Sequence, residues 1–168
     1  MSEFNYVNGE LVEVEPVDVT EDGVLSGSKG AYRVTGADVR LIGTHNGSVH
    51  LLDGASLTLA GTINGSLHVS SGCTAHIASN HNGSLHVAAS GSASVTGAQS
   101  GSVHIAPGGL FRVEQRGRHG GSTHNDGRYE LAGERGGTMS GHGEYIEEPG
   151  SQVRQPARYI GDSPVYEW

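Results

Sequence analysis

Four histidines stand at equal intervals in this chain: His50, His68, His86 and His104, each 18 residues after the last. Each lies between two aliphatic residues, as in Val49-His50-Leu51 and Leu67-His68-Val69. Each also follows a serine by two positions: Ser48, Ser66, Ser84 and Ser102. Imidazole suits Zn, Cu and Ni as a ligand, changes charge near neutral pH, and activates a serine when the two meet. The row could therefore hold a metal, sense pH, present a strip to a partner, or host a nucleophile and base. A straight ladder does not converge its ligands in a tetrahedral or square arrangement, so His50, His68, His86 and His104 are weak metal candidates. Nothing marks one Ser–His rung over another, and an enzyme's site would break the repeat at one place. The even chemistry argues for flat polar rings stacked from rung to rung, or for a surface used as a whole. This reading assigns no catalytic residue and no cofactor, and expects no enzyme.

A second polar row is Asn46, Asn64 and Asn82, each followed by Gly-Ser. Such Asn ladders satisfy turn backbone groups along a stack, so these three are read as structural. They also match the N-x-[ST] glycosylation pattern, incidentally where no secretory signal precedes them. There is no G-x-x-x-x-G-K-[ST], no strand–GxGxxG–helix unit, no CxxC and no HExxH. A net charge of −8, with no basic stripe beyond the arginines between 112 and 135, speaks against nucleic acid. The lone Cys73 gives no disulfide framework. No signal peptide or long apolar run is evident, so a cytoplasmic protein without a membrane span is expected.

The elements that must position these rows follow from the same interval. Val39/Leu41, Leu57/Leu59, Ala75/Ile77, Ala93/Val95, Phe111/Val113 and Tyr129/Leu131 are apolar pairs 18 residues apart. Apolar and polar residues alternate within each phrase, which is the strand signal. Frequent Gly and Ser, with no 3.6-residue stripe, exclude helix. The Asn-Gly steps read as turns because both residues accept positive φ. A fixed repeat whose units cannot bury their own apolar face is a solenoid. Strands one period apart stack in parallel at about 4.8 Å, carrying aliphatic ladders inward and the histidines outward. A third, weaker strand at Gly43-Thr44-His45, Gly61-Thr62-Ile63 and Ser79-Asn80-His81 makes the coil triangular. A left-handed hexapeptide helix also has 18 residues per turn. Its sixth-residue series from Leu57 to Ile105 meets His81 and Gln99. The chain thus reads as all-β: a single-stranded, right-handed parallel β-helix of about six 18-residue coils.

The flanks differ from the coils. Residues 1–30 hold seven acids and no base before Lys29, and read as an acidic segment or cap. The β-helix is expected over 31–147. Its last coils gain charge and larger fillings, Phe111 and Tyr129 among them, as terminal repeats do when they close an open end. Residues 148–168 form a Pro-containing tail with Tyr159, Ile160, Val165, Tyr166 and Trp168. An apolar tail on a polar body docks on its own coils or on a partner. Besides the histidine row, Phe111, Tyr129, Tyr159, Tyr166 and Trp168 are therefore candidates for assembly or partner binding.

The recurring Gly-x-[VLI]-x-[VLI] rungs, such as Gly65-Ser66-Leu67-His68-Val69, and the flexible flanks on both sides make residues 31–147 resemble the bactofilin family. The resemblance implies a cytoskeletal scaffold that polymerises end to end through terminal coils and recruits partners through its tails. The expectation is a non-enzymatic structural protein that self-associates. The alternative is a protein-binding module, such as an immunity, inhibitor or phage-derived recognition protein, that uses the His/Ser/Asn face or the aromatic tail.

Overall fold

A computed structural model describes residues 3–7, 10–28 and 30–168. Among them there is no helix. The alternation read from the sequence is the alternation observed: along Leu67–Val69 and Leu85–Val87 the aliphatic side chains are buried and the histidine between them is not. Each regular coil contributes three strands, such as Val49–Leu52, Ser56–Leu59 and Thr62–Ile63. Coil on coil, these build three parallel sheets of eight, eight and seven strands. Register follows the repeat, with Leu67 opposite Leu85, His68 opposite His86 and Val69 opposite Val87.

The coils reach further than the core pairs alone suggest, making about eight turns instead of six. Val17–Val19 and Gly23–Ser26, inside the acidic segment, already pair in parallel with Tyr32–Thr35 and Asp38–Ile42. At the other end Gln152–Val153 pairs with Glu134–Arg135. The acidic residues hid the first coil because they occupy outward positions and its loops are short: Val17 lies opposite Tyr32, an offset of 15 residues. The offset in the histidine sheet is 18 from Val49 to Val103. It then lengthens to 20 between Val103 and Thr123 and shortens to 16 between Thr123 and Met139. In the second sheet Phe111 and Tyr129 keep the offset of 18.

The core is a bundle of axial columns. Val49, Leu67, Leu85 and Val103 form one; Leu41, Leu59, Ile77, Val95, Val113 and Leu131 form another, all fully buried. The third sheet turns polar side chains inward: His45, His81, Gln99 and His119 are each 0% exposed. Every sixth residue from Leu57 to Ile105 is therefore buried, His81 and Gln99 included, so that series is unbroken. An unbroken series of this kind fits left-handed winding as well as right-handed.

Backbone carbonyls satisfy the inward side chains of His81 and Gln99, while His119 Nε2 is buried without such a partner among the described residues. His81 Nε2 lies 2.9 Å from the Gly65 carbonyl, and Gln99 Nε2 donates to Gly83 and Gly101 at 3.0 and 3.2 Å. The glycines of the Asn-Gly phrases serve this close stacking, not a left-handed turn. A Cβ on Gly65 or Gly83 would collide with the carbonyl of the glycine one coil earlier, and neither has positive φ. Two antiparallel hairpins flank the solenoid, Glu3–Val7 with Glu10–Val14, and Arg158–Ile160 with Ser163–Val165.

Candidate functional site

On the outer face of the histidine sheet the register lines up Asp18, Arg33, His50, His68, His86, His104, His124 and Ser140. The four predicted histidines are parallel rings. Their centroids are 4.5, 4.7 and 4.9 Å apart and their planes differ by 4 to 6°. Stacked in this way they turn ring edges outward and hide ring faces from one another. Burial, with His50 and His86 on either side, lowers His68 from 6.5 to about 4. Burial and then His104 lower His86. Protonating one ring places a cation against neighbours that would repel it, so the stack favours neutral rings.

Arg33 closes one end of the row in a two-pronged contact with Asp18, at 2.7 and 2.9 Å. At the other end His124 is a fifth histidine that a fixed interval of 18 passes over. It lies 6.4 Å from His104 with planes 40° apart, and so has left the stack. Its ring contacts Ser140 Oγ through Nδ1 at 3.1 Å and Asp126 Oδ2 through Nε2 at 2.9 Å. An open groove of about 450 Å³ runs beside the row, between the edges of His68, His86, His104 and His124 and the corner residues Ala88, Ala106 and Pro107. The signal that could have found this end was the pair His124 and Asp126, invisible until the 20-residue offset is allowed.

Among the described residues no group of three or more His, Cys, Asp or Glu side chains is placed to hold a metal ion. The rings of His50 to His104 run parallel and do not converge. The serine row lies in the same face: Ser48 Oγ is 3.1 Å from His50 Nε2, and Ser84 and Ser102 hydroxyls are 3.2 Å apart.

The Asn ladder takes its predicted form. Asn64 donates to Asn46 at 2.8 Å, and Asn82 to Asn64 at 2.9 Å. Backbone bonds continue this column through Ser100, Gly120 and Gly136. There the C-terminal tail returns to the body: the Trp168 ring lies against Gly120 and the Tyr166 ring against Gly136, where Cβ atoms would meet them. The two rings are 6.0 Å apart. Of the other surface candidates, Tyr159 is 64% exposed. Phe111 and Tyr129 need correction: both are fully buried, because their strands turn them into the core. Phe111 meets Tyr129 edge to face, and Tyr129 bonds through its hydroxyl to the buried His119.

No family model matches this chain, and no similar curated protein or solved structure was found.

Proposed function

We propose that this is a structural protein whose solenoid associates with further copies of itself through its terminal coils, the N-terminal one above all. Val17 carries the reading. It heads an inward column that runs on through Tyr32, Val49, Leu67 and Leu85. That column is fully buried from Val49 onward, yet Val17 is 51% exposed. Val19 and Leu25 beside it are only partly buried. Val17–Val19 and Gly23–Ser26 are the outermost strands of their sheets. An edge with unpaired backbone groups above an open apolar core is a template for another chain.

The opposite end mixes a polar cluster with apolar residues: Met139 and Tyr145 are partly buried and Val153 is 41% exposed. Arg135 donates to the Tyr145 hydroxyl at 2.9 Å, and that hydroxyl donates to Glu147 at 2.6 Å. With the polar cluster at that end alone, the N-terminal edges meet each other in an isologous pair. Sedimentation velocity on the wild type and on Val17→Asp tests this. The wild type should sediment as a dimer or larger, and the variant as a monomer with unchanged circular dichroism. A monomeric wild type at all concentrations ends the proposal. The alternative of a protein-binding module is favoured by Tyr159 and Ile160, which the C-terminal hairpin displays at 64% and 67% exposure.

A further inference from the structure

An enzyme's site in a repeat protein breaks the repeat, and after the four stacked histidines this repeat breaks on its polar face. The 20-residue offset and the 16-residue offset after it meet at His124. The next residue in the row is Ser140, where a regular repeat would supply another histidine. Asp126 stands at the strand end that Ser70, Ala88 and Ala106 occupy in earlier coils. Ser140 Oγ, His124 Nδ1, His124 Nε2 and Asp126 Oδ2 then form one chain, with contacts of 3.1 and 2.9 Å. Asp126 is anchored from behind, its Oδ1 accepting the main-chain N–H of His142 at 3.1 Å. That bond, with His124, holds its carboxyl below the usual range.

We propose that Ser140, His124 and Asp126 form a nucleophilic site that hydrolyses carboxylic esters, with the acyl group lying in the groove beside the histidine row. This goes beyond self-association and does not depend on it.

Asp126 Oδ2 accepts a hydrogen bond from Nε2–H of His124, which fixes the tautomer and leaves the Nδ1 lone pair facing Ser140, whose hydroxyl turns to it from the Thr123 carbonyl at 3.3 Å. The serine oxygen attacks the ester carbonyl carbon as its proton passes to Nδ1. The tetrahedral oxyanion collapses, the carbon–oxygen bond to the alcohol breaks, and Nδ1–H returns the proton to the departing alkoxide. Water then attacks the acyl-serine with the same nitrogen as base. The bond to Oγ breaks, the carboxylic acid leaves, and the serine recovers its proton. The atoms balance with water as the only co-reactant. The two ring nitrogens have exchanged partners relative to the triad in which the carboxylate faces Nδ1, but each still has one job, to hold a proton or to take one.

The Gly141 N–H follows Ser140 directly and is the donor assigned to the oxyanion. Gly141 has φ of 97°, and a Cβ there would strike the Asn125 carbonyl, so this turn requires glycine. Ala88, Ala106 and Pro107 give the groove a small apolar wall. The acyl groups that suit it are short and uncharged. The His124 side chain is 51% exposed and that of Asp126 34%, so the site is open to substrate.

The same contacts could merely close the ladder, so the test needs a readout that a structural role would not give. The full chain is treated with a fluorophosphonate and the adduct is located by mass spectrometry. Hydrolysis of p-nitrophenyl acetate and butyrate is followed for the wild type, Ser140→Ala, His124→Gln and Asp126→Asn. Free imidazoles hydrolyse aryl esters unaided, so His50 to His104 set a background that Ser140→Ala retains. The wild type should be labelled at Ser140, in a His124-dependent way. Its rate should exceed that of Ser140→Ala and of His124→Gln by on the order of 10²-fold. Ser140 is exposed, and circular dichroism verifies that each variant is folded. Equal rates for wild type and Ser140→Ala, or no adduct on Ser140, overturn the proposal.

Discussion

Lowering the pH from 7.5 to 5 should destabilise the solenoid before its carboxylates titrate, and inner and outer histidines should contribute different amounts. Burial takes His119 from 6.5 to about 3 and His68 to about 4. In both cases the folded protein binds fewer protons than the unfolded chain. Their stabilisation is therefore complete above pH 6.5 and is lost as pH falls through that value toward the folded one. At pH 5 neither folded ring carries much charge, while an unfolded ring is almost fully protonated. The linkage relation then gives a loss of about 2 kcal/mol for either histidine. His119 is fully buried and keeps that figure. His68 is wetted along its ring edge, and screening discounts it to about 1 kcal/mol. His86 and His81 are lowered too and add in the same direction. Asp18, Asp126 and Glu130 are held below their usual values, so what they contribute is lost only at lower pH.

Urea melts at pH 7.5, 6.5, 5.5 and 5 on three proteins separate the two sets. His68→Thr with His86→Thr removes the middle of the outer stack and keeps strand-compatible residues. His119→Gln copies Gln99, which fills the preceding position of the same inner column. Between pH 7.5 and 5 the outer double variant should lose about 1–2 kcal/mol less than the wild type, and His119→Gln about 2 kcal/mol less. The slope of each melt should match that of the wild type, since the area exposed on unfolding hardly changes. If all three proteins lose stability in parallel, the histidines are not the acid-sensitive groups and the reasoning fails.

Register, close approach and tail docking give three further checks. Leu85→Asp puts an unpaired charge into a fully buried column and should cost several kcal/mol, while His86→Asp should be mild; equal shifts in Tm would mean the register is wrong. Gly83→Ala would collide with the Gly65 carbonyl and should lower Tm far more than Gly54→Ala. At Gly54 only the left-handed φ of 77° opposes a side chain, worth about 1–2 kcal/mol. Trp168 is the only tryptophan, so its fluorescence reports docking directly. Gly120→Leu should displace the ring and shift emission to the red, and an unchanged spectrum would remove the tail from that column.

What the sequence made legible was whatever the fold repeats at constant interval. Leu67, His68 and Val69 announce their burial by alternation, because each side chain of a strand has one face to choose and the next coil makes the same choice. The third sheet was faint for a reason of chemistry. Its strands are two residues long, and their inward members His45, His81, Gln99 and His119 are polar. Hydropathy assigns such residues to the surface. Yet in the fold a glycine carbonyl from a neighbouring coil waits for His81 and for Gln99. The fourth phrase hides a change of another kind. After His104 the histidine sheet inserts two residues while Phe111 and Tyr129 keep their beat, so a search at a fixed interval follows the core and loses the face. The inward residues of that sheet shift with the outer ones, Thr123 and Asn125 following Val103 and Ile105 at 20 residues, so the aliphatic column gives way to polar side chains in the same coil where His124, Asp126 and Ser140 depart from the pattern. In a solenoid the departures from the repeat are therefore where chemistry specific to one coil should be sought, and the periodic signal that reveals the fold is blind to them.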